Sequence, residues 1–370
     1  MKIGLVRRGY SRTGGAERYL IRFAAGLEAK GHHCVLFSDR EWPDDDWDGR
    51  DQITLKSASS PAGFALALDD ARPAEHCDFL FSLERVWKCD CYRAGDGVHA
   101  AWLDRRAVFE PRWRRSLRAC NFKHNELRRL ERALFGPQSS THIIANAGFV
   151  KTEMTDYYGT DPARVTVIPN GFDAPSIDQA LRDRFRALGR RSYGLEPDTV
   201  AFLFVGSGWE RKGLRFAIAA VEALADRGHP VRLYVAGKDK HPPRTRLRGV
   251  TEFLGPMATT ELTQLYELSD VFILPTIYDP FSNACLEAAS HGLPIITTAA
   301  NGFSELFPEI GGAVVSKPDG DELTDACEAW LDPARFTSAR PINRSVASRF
   351  SVARNVDATL ACFEAQMQGR

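Results

Sequence analysis

The chain lacks any window that approaches the roughly 20 consecutive apolar residues of a membrane-spanning helix. Its apolar opening, Ile3-Gly4-Leu5-Val6, gives way at once to Arg7-Arg8 and is too short for the apolar core of a secretory leader. A cytoplasmic location is therefore the expectation. It also lacks a charge excess: 48 Lys and Arg balance 48 Asp and Glu, so no polyanionic or polycationic partner is implied globally and any basic surface must be local. Metal-type cysteine spacing is missing as well. The 8 cysteines are scattered, only Cys89 and Cys91 stand close, and a lone C-x-C is not a zinc pattern. Val35 beside Cys34 and Leu286 beside Cys285 suit reduced, buried thiols. No short-period repeat or low-complexity tract occurs.

What is present is an ordinary globular composition, 44% hydrophobic and 26% charged, over 370 residues. At about 100–200 residues per domain, two domains are expected. The first half alternates strands and helices. Lys2–Val6 is a short apolar strand, Gly14-Gly15 follows, and Tyr19, Leu20, Phe23 and Leu27 recur at helical spacing across residues 16–30. Gly31 stops that helix and 34–38 is the next strand, so the chain opens on a β-α-β unit of a doubly wound parallel sheet. Phe79–Ser82, His142–Ala145 and 165–168 continue the series. Pro169-Asn170-Gly171-Phe172 is a turn, and the polar stretch 173–197 reads as a linker with one helix. A second series has strands at Val200–Val205, 232–236, 251–254, 271–275 and 294–298, with helices at 214–227, 260–269 and 283–291. A final helix spans 355–366. The expectation is an α/β protein of two facing Rossmann-like domains, 1–172 and 173–354, with 355–370 packing back on the first. The binding site is expected in the cleft between them.

In the second half, the strand at 271–275 runs into Thr276-Ile277-Tyr278-Asp279-Pro280-Phe281-Ser282-Asn283 and a helix carrying Glu287. A helix starting there aims backbone N–H groups and a positive dipole end at a phosphate. Asp279 before the helix and Glu287 within it can bracket one ligand, and carboxylates suit vicinal hydroxyls. Taken alone, the pair better fits a capping aspartate and a surface glutamate. Upstream, Val205-Gly206-Ser207-Gly208-Trp209-Glu210-Arg211-Lys212-Gly213 sets two cations just before a helix, where they can neutralise a diphosphate leaving group.

In order and spacing, these residues resemble the donor domain of glycosyltransferase family 4, a retaining family of GT-B fold. The resemblance rests on Val205-Gly206 with Lys212-Gly213, Phe253-Leu254-Gly255, Asp270-Val271-Phe272-Ile273-Leu274-Pro275, Asp279 with Glu287, Gly292-Leu293-Pro294, and Asn301-Gly302 with Glu305. Two departures stand out: aspartate at 279 replaces the family's first glutamate, and Ser207 stands where the family usually carries arginine. Gly14-Gly15-Ala16-Glu17-Arg18 resembles the family's glycine loop after the first strand, where glycines admit close backbone approach to the donor. The segment Tyr92 to Leu103, containing Asp96-Gly97-Val98-His99, is similar to the acceptor-side segment of the lipopolysaccharide core glucosyltransferase I subgroup.

The resemblance implies a retaining hexosyltransferase that moves a hexose, glucose by the subgroup match, from a UDP-sugar to a lipopolysaccharide-core or related glycan acceptor. It assigns catalysis to Asp96, Lys212, Arg211 and Asp279. Donor binding falls to Gly14, Gly15, Ser207, Phe253, Leu254, Phe281, Ser282, Asn283 and Glu287. His99 either binds a sugar hydroxyl or packs. No metal and no cofactor are expected, since the cations take the metal's place and no D-x-D stands at a strand end; Asp44-Asp45-Asp46 reads as a solvated loop.

Arg105 to Arg132 is locally basic, with Arg105, Arg106, Arg112, Arg114, Arg115, Arg118, Lys123, Arg128, Arg129 and Arg132 against Glu110, Glu126 and Glu131. Trp102, Phe109, Trp113, Leu117 and Phe122 are interleaved. This pattern suits an anionic membrane surface or a phosphorylated glycolipid acceptor, and equally a solvated helix face. The subgroup match favours the inner face of the cytoplasmic membrane. Nucleic acid has no supporting motif. Competing readings are another nucleotide sugar used for capsule, glycolipid or protein glycosylation, and a non-catalytic sugar- or lipid-binding relative, against which the intact Asp96, Lys212 and Glu287 speak. A nicotinamide enzyme would need G-x-G-x-x-G where the chain has Arg12-Thr13-Gly14-Gly15-Ala16-Glu17.

Overall fold

A computed structural model describes residues 1–11, 15–56, 60–111 and 121–368. The chain divides into two units, Met1–Gly171 with Ser351–Arg370, and Phe172–Phe350.

The first unit carries a seven-stranded sheet: β1 (Lys2–Val6), β2 (His33–Ser38), β3 (Asp51–Thr54), β4 (Phe79–Ser82), β5 (Cys91–Arg93), β6 (His142–Ala145) and β7 (Val165–Val167). The order is β3-β2-β1-β4-β5-β6-β7 and each pair is parallel. Strands such as Phe79-Leu80-Phe81-Ser82 are buried along their whole length because helices cover both faces of a parallel sheet. One face is closed by the helices Gly15–Glu28 and Val352–Gln368. Phe363 of the terminal helix sets its ring 4.5 Å from Phe79 and 5.0 Å from Phe81. Gly26 lets that helix approach, since a Cβ there would stand 2.8 Å from Val356 Cγ2.

The second unit carries β8 (Val200–Val205), β9 (Val231–Ala236), β10 (Thr251–Gly255), β11 (Val271–Leu274), β12 (Ile295–Thr298) and β13 (Gly312–Val315), all parallel, in the order β10-β9-β8-β11-β12-β13. Both sheets are thus doubly wound, and successive connections change direction at β1/β4 and at β8/β11. The loops diverge at those two points, which is where such sheets bind ligands.

The polar stretch read as a linker with one helix does hold one helix, and that helix is packed on its unit rather than free. It is Gln179–Ser192, whose Arg182, Arg186 and Arg190 lie on one side at i, i+4 and i+8. Arg182 pairs with Glu267, while Asp270 accepts from Arg186 at 2.5 Å and Arg190 at 3.1 Å. Glu267 and Asp270 are buried, so these cations neutralise carboxylates that would otherwise be costly to bury.

Candidate functional site

In the second unit the loop after β8 is shaped by glycine. Gly206, Gly208 and Gly213 have φ of 140°, 73° and 74°, values that side-chain-bearing residues rarely adopt. Between the last two lies the one-turn helix Trp209–Lys212. The loop after β11, from Pro275 to Ser282, is laced to it. The Arg211 carbonyl accepts from Ile277 N–H at 2.8 Å and from Thr276 Oγ1 at 2.9 Å, and Arg211 Nη1 donates to the Tyr278 carbonyl at 3.0 Å. The same Nη1 lies 3.8 Å from Asp279 Oδ2.

Asp279 is buried, and its main chain is fixed on both sides. Its N–H donates to Ala300 O and its C=O accepts from Gly302 N–H, both at 2.9 Å. Asn301, fully buried, braces the helix entry: Oδ1 accepts from Ser282 N–H at 3.3 Å and Phe303 N–H at 3.1 Å, while Nδ2 donates to Thr297 Oγ1 at 2.9 Å. Ser282 caps the helix Asn283–Ser290, its Oγ accepting from Cys285 N–H at 3.3 Å. Glu287 is half-buried on that helix and accepts from Tyr266 Oη at 3.3 Å.

Lys212 lies across Gly206, where a Cβ would stand 2.5 Å from Nζ. Burial pushes its ammonium below the usual lysine value of 10.5, against the pull of Asp279, and Glu287 acts on it in the same sense as Asp279. The structure therefore brings Lys212, Arg211, Asp279, Ser282 and Glu287 to one place in the fold, the β8/β11 switch point. Ser207 and Asn283 are exposed there. Phe253 and Leu254 lie near the end of β10 on the same sheet, and the Phe253 ring centroid is 5.5 Å from that of Trp209. Phe281 is buried, its ring packed against Phe303 and Phe350.

In the first unit the β1/β4 switch point holds a buried ion network that the sequence did not reveal. Arg7 pairs with Glu17 at 3.0 Å and Glu84 at 2.5 Å. Burial pushes the Glu84 carboxyl up, against the pull of Arg7. Arg85, also buried, pairs with Glu131 at 3.0 Å, donates to Gly97 O at 2.9 Å and lies 3.7 Å from Asp96 Oδ2. Glu131 is fully buried and accepts from His99 N–H at 2.6 Å and Tyr158 Oη at 2.7 Å. Arg85 and Glu131 thus fix the turn that presents Asp96, whose side chain is 77% exposed. His99 Nε2 lies 3.0 Å from His124 Nδ1; burial, with Arg85 nearby, pushes its imidazole down to about 3, so it is neutral at physiological pH. Gly14 falls outside the described residues. Gly15 opens its helix exposed, with open space where a Cβ would stand. The one available signal for Glu84 and Arg85 was their place directly after a strand beside the sheet's reversal.

The basic segment is partly internal. Arg112, Trp113, Arg114, Arg115, Leu117 and Arg118 lie outside the described residues. Arg105 pairs with Glu153, and Arg106 with Glu110 at 2.5 Å, so these two are engaged with carboxylates of their own unit. Glu131 does not face the basic surface, because it is turned inward to Arg85. On the helix Phe122–Phe135, Lys123, Arg128, Arg129 and Arg132 are exposed, and Phe122 is 86% exposed. Among the described residues, no helix is long and apolar enough to cross a membrane.

Comparison with known proteins adds family and fold. A model described as Glycosyltransferase Family 4 matches residues 13–174, and one described as Glycosyl transferases group 1 matches residues 199–332. The chain is 24% identical over 327 residues to the lipopolysaccharide glucosyltransferase WaaG of Escherichia coli, covering 85% of this chain and 84% of that one. It is 28% identical over 192 residues to an uncharacterized glycosyltransferase of Methanocaldococcus jannaschii, covering 50% of this chain and spanning only 49% of that relative's length. Among solved structures, WaaG superposes with a TM-score of 0.78 at 20% identity, covering 96% of this chain and 98% of that one. Anabaena HepE in complex with UDP and glucose gives 0.70 at 16% identity, covering 99% and 100%. These likenesses show the two-domain α/β architecture known as GT-B.

Proposed function

Since the chain belongs to glycosyltransferase family 4, we propose that it moves a hexose, glucose in the first instance, from a UDP-sugar to a lipopolysaccharide-core or related glycan acceptor with retention of configuration. The observation that carries this reading is the meeting of Lys212, Arg211, Asp279 and Glu287 at the β8/β11 switch point. The likeness to WaaG, a lipopolysaccharide glucosyltransferase, and to HepE, solved with UDP and glucose, supports the choice of donor and acceptor class.

Breaking the anomeric bond develops an oxocarbenium-like sugar and negative charge on the leaving diphosphate. Lys212 and Arg211 meet that charge, with the helix N-terminus at Phe281–Asn283 adding backbone N–H donors. These groups do the work that a metal ion does elsewhere, and no cofactor enters. Asp279 holds hydroxyls of the transferred sugar, Glu287 the ribose, and Phe253 with Leu254 borders the base. In its own unit, Asp96 on the turn fixed by Arg85 serves the transferred sugar and the acceptor.

A thermal-shift series with UDP, other nucleoside diphosphates and NAD tests the reading. A ligand that binds only the folded chain raises its melting point by mass action. UDP is expected to do so. A response confined to another diphosphate moves the base assignment, and no response to any diphosphate, or to NAD alone, ends the reading. The exposed Phe122, Lys123, Arg128, Arg129 and Arg132 suit the anionic inner face of the cytoplasmic membrane. Co-sedimentation with anionic vesicles should then fall as salt rises. Equal binding to neutral vesicles removes this argument.

A further inference from the structure

We propose that Trp209 is a positioning residue for Lys212, an inference that rests on the nucleotide-sugar reading above. Lys212 ends the helix that Trp209 begins, and its side chain lies over the bare Cα of Gly206. A Cβ on Gly206 would stand 2.9 Å from Lys212 Cδ and Cε, so the ammonium's seat is the Gly206 peptide itself. The Gly206 backbone is held from two sides. Its N–H donates to Ala236 O at 2.9 Å, and its carbonyl accepts the Trp209 indole N–H at 2.8 Å. The carbonyl is also enclosed. Gly237, at φ 128°, packs its backbone against it so closely that a Cβ there would overlap the oxygen.

Trp209 is fixed in turn. Its backbone N–H donates to Asp239 Oδ2 at 2.7 Å, and its ring packs against Phe253. The indole is buried, with only 6% of the residue exposed. The seat of the lysine is thus clamped by the first residue of the lysine's own turn. Charge stabilisation of this kind depends on a donor held in place beforehand, because a lysine with four rotatable bonds otherwise spreads over many positions. Phenylalanine at 209 keeps the ring contact and the amide cap. It cannot donate, and so leaves the Gly206 carbonyl enclosed and unpaired.

The diphosphate part of donor binding isolates this effect, because it needs no acceptor. The affinities of UDP and uridine are measured by calorimetry for the wild type, Trp209→Phe, Lys212→Ala and the double variant. The ratio of uridine Kd to UDP Kd reports the contribution of the diphosphate. Trp209→Phe is expected to lower that ratio about tenfold, the effect of weakening one charge-assisted bond from a lysine no longer held in place, with uridine affinity unchanged. Lys212→Ala lowers it further, and adding Trp209→Phe to Lys212→Ala changes nothing, since the two act as one unit. Asp239→Asn, which weakens the acceptor for the Trp209 amide and leaves the ring untouched, lowers the same ratio. An unchanged ratio in Trp209→Phe overturns the proposal. So does an equal loss of uridine and UDP, or an additive loss in the double variant. A wild-type chain that binds no nucleoside diphosphate brings down the nucleotide reading and this role with it; binding of another diphosphate in place of UDP moves the same ratio to that nucleoside, and diphosphate binding with an unchanged ratio brings down this role alone.

Discussion

Gly213→Ala tests whether the Lys212 loop is docked on the β11 loop as tightly as the structure indicates. Gly213 sits at φ 74°, and a Cβ there would overlap the Pro275 carbonyl oxygen and stand 2.8 Å from its carbon. Two costs follow. A left-handed conformation costs a side-chain-bearing residue about 1–2 kcal/mol. The overlap is with backbone at the end of a central strand, so no side chain can swing away, and overpacking of this kind costs about 1–3 kcal/mol. Together they amount to about 2–5 kcal/mol. Gly208→Ala is the matched control: φ is 73°, yet nothing lies within 4 Å of the added Cβ, so it should show the conformational cost alone. Urea denaturation of both variants beside the wild type gives the two values, and thermal melts should fall by roughly 2–4 °C per kcal/mol for a unit of this size. The shift needed to admit the methyl also breaks the bond from Ile277 N–H to Arg211 O, so UDP affinity should drop in Gly213→Ala and hold in Gly208→Ala. Equal destabilisation by the two substitutions would refute the docking argument.

The remaining expectations concern the same groups. Asp279→Ala should lose turnover while UDP binding largely survives, and Glu287→Ala should weaken UDP binding itself; the opposite pattern in calorimetry and rate measurements would reverse the two roles. Because burial holds Lys212 below 10.5, UDP affinity should fall as pH rises through a value under 10.5, when the ammonium loses its proton. Lys212→Arg should remove that fall, and a wild-type affinity flat across this range would contradict it. With the His99 imidazole held at about 3 in the folded chain and near 6.5 when unfolded, the unfolded chain binds the extra proton between those values. Stability is therefore complete above about 6.5 and declines as pH falls toward 3, and denaturation series in His99→Asn should show a shallower decline.

Much of the fold was legible because a parallel sheet buries both faces of its strands. Apolar runs such as Val200–Val205 and Val271–Leu274 announce themselves without any knowledge of their neighbours. What escaped were strands lacking that signal. Asp51–Thr54 is a polar edge strand paired on one side, Cys91–Arg93 has three residues, and Gly312–Val315 begins with glycine. The packing of the charged stretch before β8 escaped for another reason. Its arginines neutralise Glu267 and Asp270 some 80 residues onward, and a periodic pattern of charge does not say what it faces. The same distance hid the ion network of the first unit, where Arg7 meets Glu84 across 77 positions and Arg85 meets Glu131 across 46. The residues that meet at the β8/β11 switch point were readable because such a point gathers loops that each follow one strand, so each loop is a short contiguous motif.

That geometry bears on the two places where this chain departs from its family's pattern. The family usually has arginine where Ser207 stands and glutamate where Asp279 stands, and the structure sets these departures on facing loops of one switch point. Ser207 is exposed and brings no charge, while Arg211 extends from the next turn to the Tyr278 carbonyl and to within 3.8 Å of Asp279. Asp279 has one methylene less with which to search for a ligand. Its main chain, however, is bonded to Ala300 and Gly302, next to the Asn301 that braces the helix entry. The position of a short side chain follows from its backbone, and here the backbone is held by β12's loop while the cation comes from β8's. Acid and cation therefore reach each other through the longer arm of arginine rather than through the longer arm of glutamate. Reverting Asp279 to glutamate would therefore push a second long side chain toward the Arg211 guanidinium already in place.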